Sequence, residues 1–211
     1  MTRKSIRNTL CMFLIALAAK DSFAQDSTQI KWAVRFAPIN LINMDRNIQL
    51  QGEYFTSPKI SIIPSIGLGR INDENHRNIQ QYRLGVKLYI KPINQQNRKS
   101  AYFGFEGMYK HSIETKNSVK VVGKELTDWQ LYHLNVNVFA QHFIVGYSSF
   151  KPQKPSFDFF FGIGLRESVN FTRDKKEGYD FCCPTMYNRL EGSYNSISVL
   201  LGANIGISHW K

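Results

Sequence analysis

The stretch FDFFFGIGLRESVNF, residues 157–171, and the later ISVLLGANIGIS, residues 197–208, sort their side chains by parity. In the first, Phe157, Phe159, Phe161, Ile163, Leu165, Glu167, Val169 and Phe171 alternate with Asp158, Phe160, Gly162, Gly164, Arg166, Ser168 and Asn170. In the second, Ile197, Val199, Leu201, Ala203, Ile205 and Ile207 alternate with Ser198, Leu200, Gly202, Asn204, Gly206 and Ser208. Successive side chains of a strand point to opposite faces, so each run has one oily face and one small or polar face. Runs of this length far exceed the five or six residues usual in a soluble sheet. Long strands with one greasy face predict a barrel whose outside meets lipid.

The same period-2 test upstream finds six more strands, at about 30–38, 47–55, 60–70, 79–90, 100–111 and 129–143. Their oily sets are Ile30, Trp32, Val34 and Phe36; Ile48, Leu50 and Tyr54; Ile60, Ile62, Ile66 and Leu68. They continue with Tyr82, Leu84, Val86, Leu88 and Ile90; Ala101, Phe103, Phe105 and Tyr109; Tyr132, Leu134, Val136, Val138 and Ala140. Pro64 in the third strand predicts a bulge. No segment has helical period. The expectation is all-β: an eight-stranded antiparallel up-and-down transmembrane β-barrel, the smallest closed membrane barrel, with a lumen that side chains fill. Thr56 to Lys59 and Lys91 to Lys99 read as short connections, and 39–46, 71–78, 112–128 and 172–195 as those of the opposite end. Residues 144–155 are too long for a tight turn unless the flanking strands extend into them.

The N-terminus supplies the address. Arg3, Lys4 and Arg7 precede the apolar run Leu10 to Ala19, and Ser22-Phe23-Ala24 offers a small-x-small cleavage site. Residues 1–24 read as a secretory signal peptide, too short in its apolar core to span a bilayer, leaving 25–211 as one domain. The mature part holds 23 basic and 15 acidic residues, a net charge of +8. Its cysteines are the adjacent Cys182 and Cys183, for which a vicinal disulfide, free thiols and an interchain bridge stay open. Two thiols with no nearby His or Cys make a poor zinc site, so no metal and no cofactor are expected.

On the non-oily face, glycines recur (Gly67, Gly69, Gly85, Gly104, Gly162, Gly164, Gly202 and Gly206), which suits a narrow, crowded lumen better than a solvated strand. The same face carries a charge cluster of both signs: Lys31, Arg35, Glu53, Arg83, Lys87, Glu106, Lys110, Asp158 and Arg166. Desolvated charges need partners, so these are expected to pair across the lumen. Aromatics near strand ends (Trp32, Tyr54, Tyr82, Tyr109, Trp129, Tyr132, Phe157, Phe171 and Trp210) fall where interfacial girdles belong.

With its signal peptide, eight alternating strands and terminal GANIGISHW (202–210), the chain resembles the small OmpA/OmpX-like outer-membrane β-barrels of Gram-negative bacteria, including outer-membrane barrel families of unknown function. The resemblance is one of pattern over 25–211. It implies the cell outer membrane, contact with outer-membrane lipid and lipopolysaccharide, a monomer, and a structural or surface-interaction role. Such barrels usually end on an aromatic in phase with the lipid-facing set. Trp210 is out of phase and Lys211 follows it, so a bulge near His209 is expected to restore the phase.

Two other readings compete. A soluble periplasmic lipocalin-like barrel would turn the oily face inward around an apolar ligand. A lipid A-modifying barrel enzyme would need a His, a Ser and an acid at the rim. His111, Ser112 and Glu114 lie close in sequence, with His133 and His142 further on, yet nothing fixes them in triad geometry, so no enzyme is expected. Basic loop residues (Lys116, Lys120, Lys124, Arg173, Lys175, Lys176 and Arg189) are mixed with acids. No nucleic-acid motif accompanies the positive charge.

Overall fold

A computed structural model of the chain describes residues 30–38, 47–71, 77–122, 125–152, 154–172, 179–181 and 192–210. The signal-peptide region, Cys182-Cys183, Lys211 and most of the connections 39–46, 71–78 and 172–195 lie outside these. Among the described residues every regular element is a strand: β1 (Ile30–Phe36), β2 (Asn47–Ser57), β3 (Ile60–Ile71), β4 (Arg77–Tyr89), β5 (Lys99–Val122), β6 (Glu125–Ser149), β7 (Ser156–Thr172), β8 (Tyr179–Phe181) and β9 (Gly192–Trp210). Eight of them form one antiparallel ring in the order β4-β3-β2-β1-β9-β7-β6-β5, closed by pairing of β4 with β5. The three-residue β8 adds to β5 outside the ring, at Ser118 to Lys120.

Register fixes the dimensions. From Gly206, register partners lead round the ring through Arg35, Gln51, Ser65, Arg83, Met108, Ala140 and Arg166, and back to β9 at Ser196 rather than Gly206. A ten-residue stagger over eight strands, at ~3.3 Å per residue and ~4.8 Å between strands, sets a tilt of about 41° and a radius of about 8 Å. Such a ring has room inside for side chains and little else.

One end, here the turn end, carries three connections that knit together. The Ile93 amide donates to the Pro58 carbonyl at 2.8 Å, and the Phe150 amide to the Arg98 carbonyl at 2.7 Å. Ile93 and Phe150 turn fully inward and join Ile30, Ala33, Phe55, Tyr89, Tyr102 and Ile144 in an apolar plug, against which Phe160, Leu200 and Trp210 pack. At the opposite end, the hairpin end, β5 and β6 run on past their ring neighbours. The β4 ladder stops at Glu114 and the β7 ladder at Leu134, whereas β5 and β6 stay paired as far as Val122 and Glu125.

Several expectations need correcting. Residues 112–128 are not a long loop, because both strands continue through them and only 123–124 separate them. Residues 144–155 meet the condition set by their length, because β6 extends through Ser149 and takes half of the stretch, leaving 150–155 as the connection. Pro64 makes no bulge. Its pairing with Leu84 is in register, and on its other side Gln51↔Ser65 and Tyr54↔Ile62 keep one register around it. Gly52 lies opposite the proline ring, where even a Cβ would make only ordinary van der Waals contact with the Pro64 Cγ, at 3.5 Å.

The largest correction is β6, whose faces are reversed. Leu134, Val136, Val138 and Ala140 are buried, and Phe139, Phe143, Val145 and Tyr147 are exposed. This strand is apolar at both parities, so alternation does not decide its face. The ladder with β5 does, setting His142 beside the inward Glu106, and Ile144 beside Gly104 on one side and Gly162 on the other.

Candidate functional site

The ring interior concentrates the charged side chains of five strands. Arg35 on β1, Glu53 on β2, Lys87 on β4 and Asp158 on β7 are all fully buried. Arg35 forms an ion pair with Glu53, and its Nη1 lies 3.9 Å from Asp158 Oδ2. Lys87 Nζ is 2.9 Å from Asp158 Oδ2 and 3.5 Å from Glu53 Oε2. Two cations alternate with two carboxylates, so the cluster carries no net charge. That matters because an isolated ion in a dry interior would cost several kcal/mol.

Neutral donors saturate the carboxylates. Ser61 Oγ donates to Glu53 Oε1 at 2.6 Å, as does the Tyr89 hydroxyl. Asp158 accepts from Ser148 Oγ at 2.6 Å and from Asn204 Nδ2 at 3.3 Å, and that amide also donates to Gln51 Oε1 at 2.9 Å. The cations sit on aromatic faces: Lys87 Nζ is 4.3 Å from the Tyr102 ring centre, and Arg35 Cζ is 4.7 Å from that of Phe150. Each such contact favours a desolvated cation. Sequence parity puts Ser61 and Asn204 on the inner face, but their partnership with a carboxylate shows only once the ring is closed.

A second layer lies toward the hairpin end. Arg83 Nη1 meets Glu106 Oε1 at 3.3 Å, and Gln81, in the amide orientation that satisfies its neighbours, accepts from Arg83 at 2.8 and 2.9 Å. Lys110 is buried on the same face, and Arg166 is half-buried there. Lys31 is the exception among the nine residues of the sequence-predicted cluster: it is exposed. The cause is a β1 bulge. Trp32 pairs with His209 but Ile30 pairs with Trp210, so the chain gains one residue and Ile30 takes the inner position. The bulge expected in β9 near His209 is therefore in β1. Trp210 stays on the plug, and His209 stacks outside on Trp32 at 5.2 Å.

The inner glycines are floors for large neighbours. A Cβ on Gly202 would strike the Phe160 ring, and one on Gly146 would meet the Tyr102 ring. The His142 ring spans Gly164 between the two neighbouring strands, its Nε2 lying 2.9 Å from Ser198 Oγ.

Among the described residues no acid is hydrogen-bonded to that pair, and the Nδ1 of His142 is buried with no hydrogen-bond partner. His111 and Ser112 are successive residues on opposite faces, the serine buried and the histidine bonded through Nδ1 to Asn137 Oδ1 at 3.0 Å. His133 Nδ1 lies 3.4 Å from Thr115 Oγ1. Among the described residues no group of three His, Cys, Asp or Glu side chains is placed to hold a metal ion.

The outer face is the converse of the inner one. Large apolar side chains are exposed on all eight ring strands, Leu165 at 74 % and Ile197 at 73 %. Toward the hairpin end the first polar outward residue follows Tyr82 at Gln80, Tyr109 at His111, Phe139 at Asn137, Leu165 at Glu167 and Ile197 at Asn195. Toward the turn end the belt finishes at Trp32, Tyr54 and Tyr147. Along β9 it runs from Ile207 to Ile197, about 25 Å for the rise and tilt of this ring. Gln141 interrupts it on β6.

Comparison with family models, curated proteins and solved structures finds no match to this chain.

Proposed function

We propose that the ring is a transmembrane β-barrel of the bacterial outer membrane, monomeric, with a structural or surface-interaction role in contact with membrane lipid and lipopolysaccharide, and with no catalytic activity. The observation that carries this reading is the outward apolar belt, present on all eight ring strands, interrupted by the uncharged Gln141 on β6, and about 25 Å tall, the height of a barrel's lipid-facing band. Its edges support the same reading, because Trp32, Tyr54 and Tyr147 line one margin and Tyr82 and Tyr109 the other. Exposed apolar area of this extent on a water-soluble monomer would be an aggregation liability.

The lipocalin-like alternative needs its oily face inside, where this chain buries Arg35, Glu53, Lys87 and Asp158. The enzyme alternative needs an acid beside a His–Ser pair at an accessible rim, and the contacts of His111, His133 and His142 supply none. The test is fractionation of cells expressing the chain from Met1. The expected outcome is recovery in detergent-extracted outer membrane, with a gel mobility that shifts on heating. Recovery in the periplasm without detergent would overturn the proposal.

A further inference from the structure

Among the described residues, the turn end carries a rim of exposed cations with no acid among them. Lys59 sits in the β2–β3 turn, Lys91 and Arg98 in the β4–β5 connection, Lys99 at the start of β5, and Lys151 and Lys154 in the β6–β7 connection; all six are exposed. The β1 bulge adds Lys31, exposed next to Trp32. Residues 56–60, 89–100 and 148–157 contain no Asp or Glu. Among the described residues, the nearest carboxylates, Glu53 and Asp158, are buried inside the ring and already paired. The hairpin end is mixed instead, with Glu114, Glu125, Asp128, Glu167 and Asp180 among its cations.

We infer that this rim binds the phosphate headgroups of anionic phospholipids in the leaflet on the turn side, a lipid selectivity that rests on the membrane reading above. Two features choose a leaflet over an acidic protein. The cations are spread round the rim, on β1 and on all three connections, so their charge-complementary acceptor is annular rather than a single patch. They also lie directly beyond the aromatic edge of the apolar belt, at Trp32, Tyr54 and Tyr147. There a lysine stem runs along apolar surface while its ammonium reaches headgroup phosphate. Basic residues at this depth draw anionic lipid by an attraction that salt weakens.

The test reconstitutes the mature protein in phosphatidylcholine vesicles, checks insertion by flotation, and compares spin-labelled phosphatidylglycerol with spin-labelled phosphatidylcholine. The expected result is that the protein immobilises the anionic label severalfold more at low salt. The preference should fall toward parity in high salt and in the variant Lys59→Gln/Lys91→Gln/Lys99→Gln/Lys151→Gln. It should persist in Lys116→Gln/Lys120→Gln, on the hairpin. A heat-shifted gel mobility checks that both variants are folded. Flotation with equal immobilisation of the two labels would overturn the inference and leave the barrel standing, whereas failure to float would remove the barrel reading itself. Lipid parity together with binding of soluble polyglutamate to the detergent-solubilised protein would mean an acidic partner instead.

Discussion

At the turn end, three connections hydrogen-bond to one another and push Ile93 and Phe150 into an interior already holding four fully buried charges. At the hairpin end, β5 and β6 leave the ring and pair with each other, with β8 on the edge of β5. The first arrangement couples residues far apart in sequence: Lys87 and Asp158 are 71 positions apart, and Gln51 and Asn204 are 153. The second couples mostly near neighbours across one turn. Long-range pairing makes the turn end the part whose loss opens the whole ring, and local pairing lets the hairpin end open alone.

The largest expected effect comes from breaking the buried quartet. Asp158→Ala leaves Lys87 without its closest carboxylate and Arg35 with one instead of two. Removing one partner of a buried pair costs roughly 3–5 kcal/mol. Glu106→Ala, in the more accessible second layer, should cost less. Thermal unfolding in detergent or bilayers checks the order, and an equal loss in the two variants would erase the distinction between the layers.

Next is a charge on the belt. Val199→Arg, on the outer face of β9, should reduce folded yield in bilayers by an amount equivalent to about 2–4 kcal/mol, and Asn195→Arg, beyond the polar switch of the same strand, by about 0–1 kcal/mol. Equal tolerance of the two would mean that no lipid boundary lies between them. The pair thus measures where the turn-side and hairpin-side halves meet water.

How much of this was legible in the sequence varies with the strand. Where one parity is mainly apolar, as in β2, β4, β7 and β9, alternation suffices to assign the two faces despite inward Phe55, Tyr89, Phe160 and Leu200, because the period of side-chain direction is a property of the backbone. β6 defeats the same test. Its even residues fill the interior beside Gly104 and Gly162 while its odd residues cover the outside, so only the partner strand distinguishes them. Lys31 was misplaced because a bulge depends on the register with β9, which no local pattern encodes. β8 is three residues long and leaves no periodic trace. Arg35, Glu53, Lys87 and Asp158 share the inner parity of their strands, but that they meet depends on the ten-residue stagger of the ring, a closure property.

The smallest effect should come from the hairpin extension. Replacing Ser118 through Gln130 with Asn-Gly would join Asn117 to Leu131, which already face each other across the ladder, by a two-residue turn of the kind antiparallel strands prefer. The change removes the pairing site of β8 but no ladder between ring neighbours, since β4 leaves β5 at Glu114 and β7 leaves β6 at Leu134. The ring should then unfold in urea within about 1 kcal/mol of the parent, the range of changes that touch no core feature. Amide exchange in the parent should likewise be fast along Lys116 to Val122 and slow at Arg35, Glu53 and Lys87, because sub-global opening starts where neighbours are fewest. A drop in stability comparable with that of Asp158→Ala would show that the extension clamps the ring. The long hairpin would then belong to the same cooperative unit as the buried charges, and the contrast between the two ends would fail.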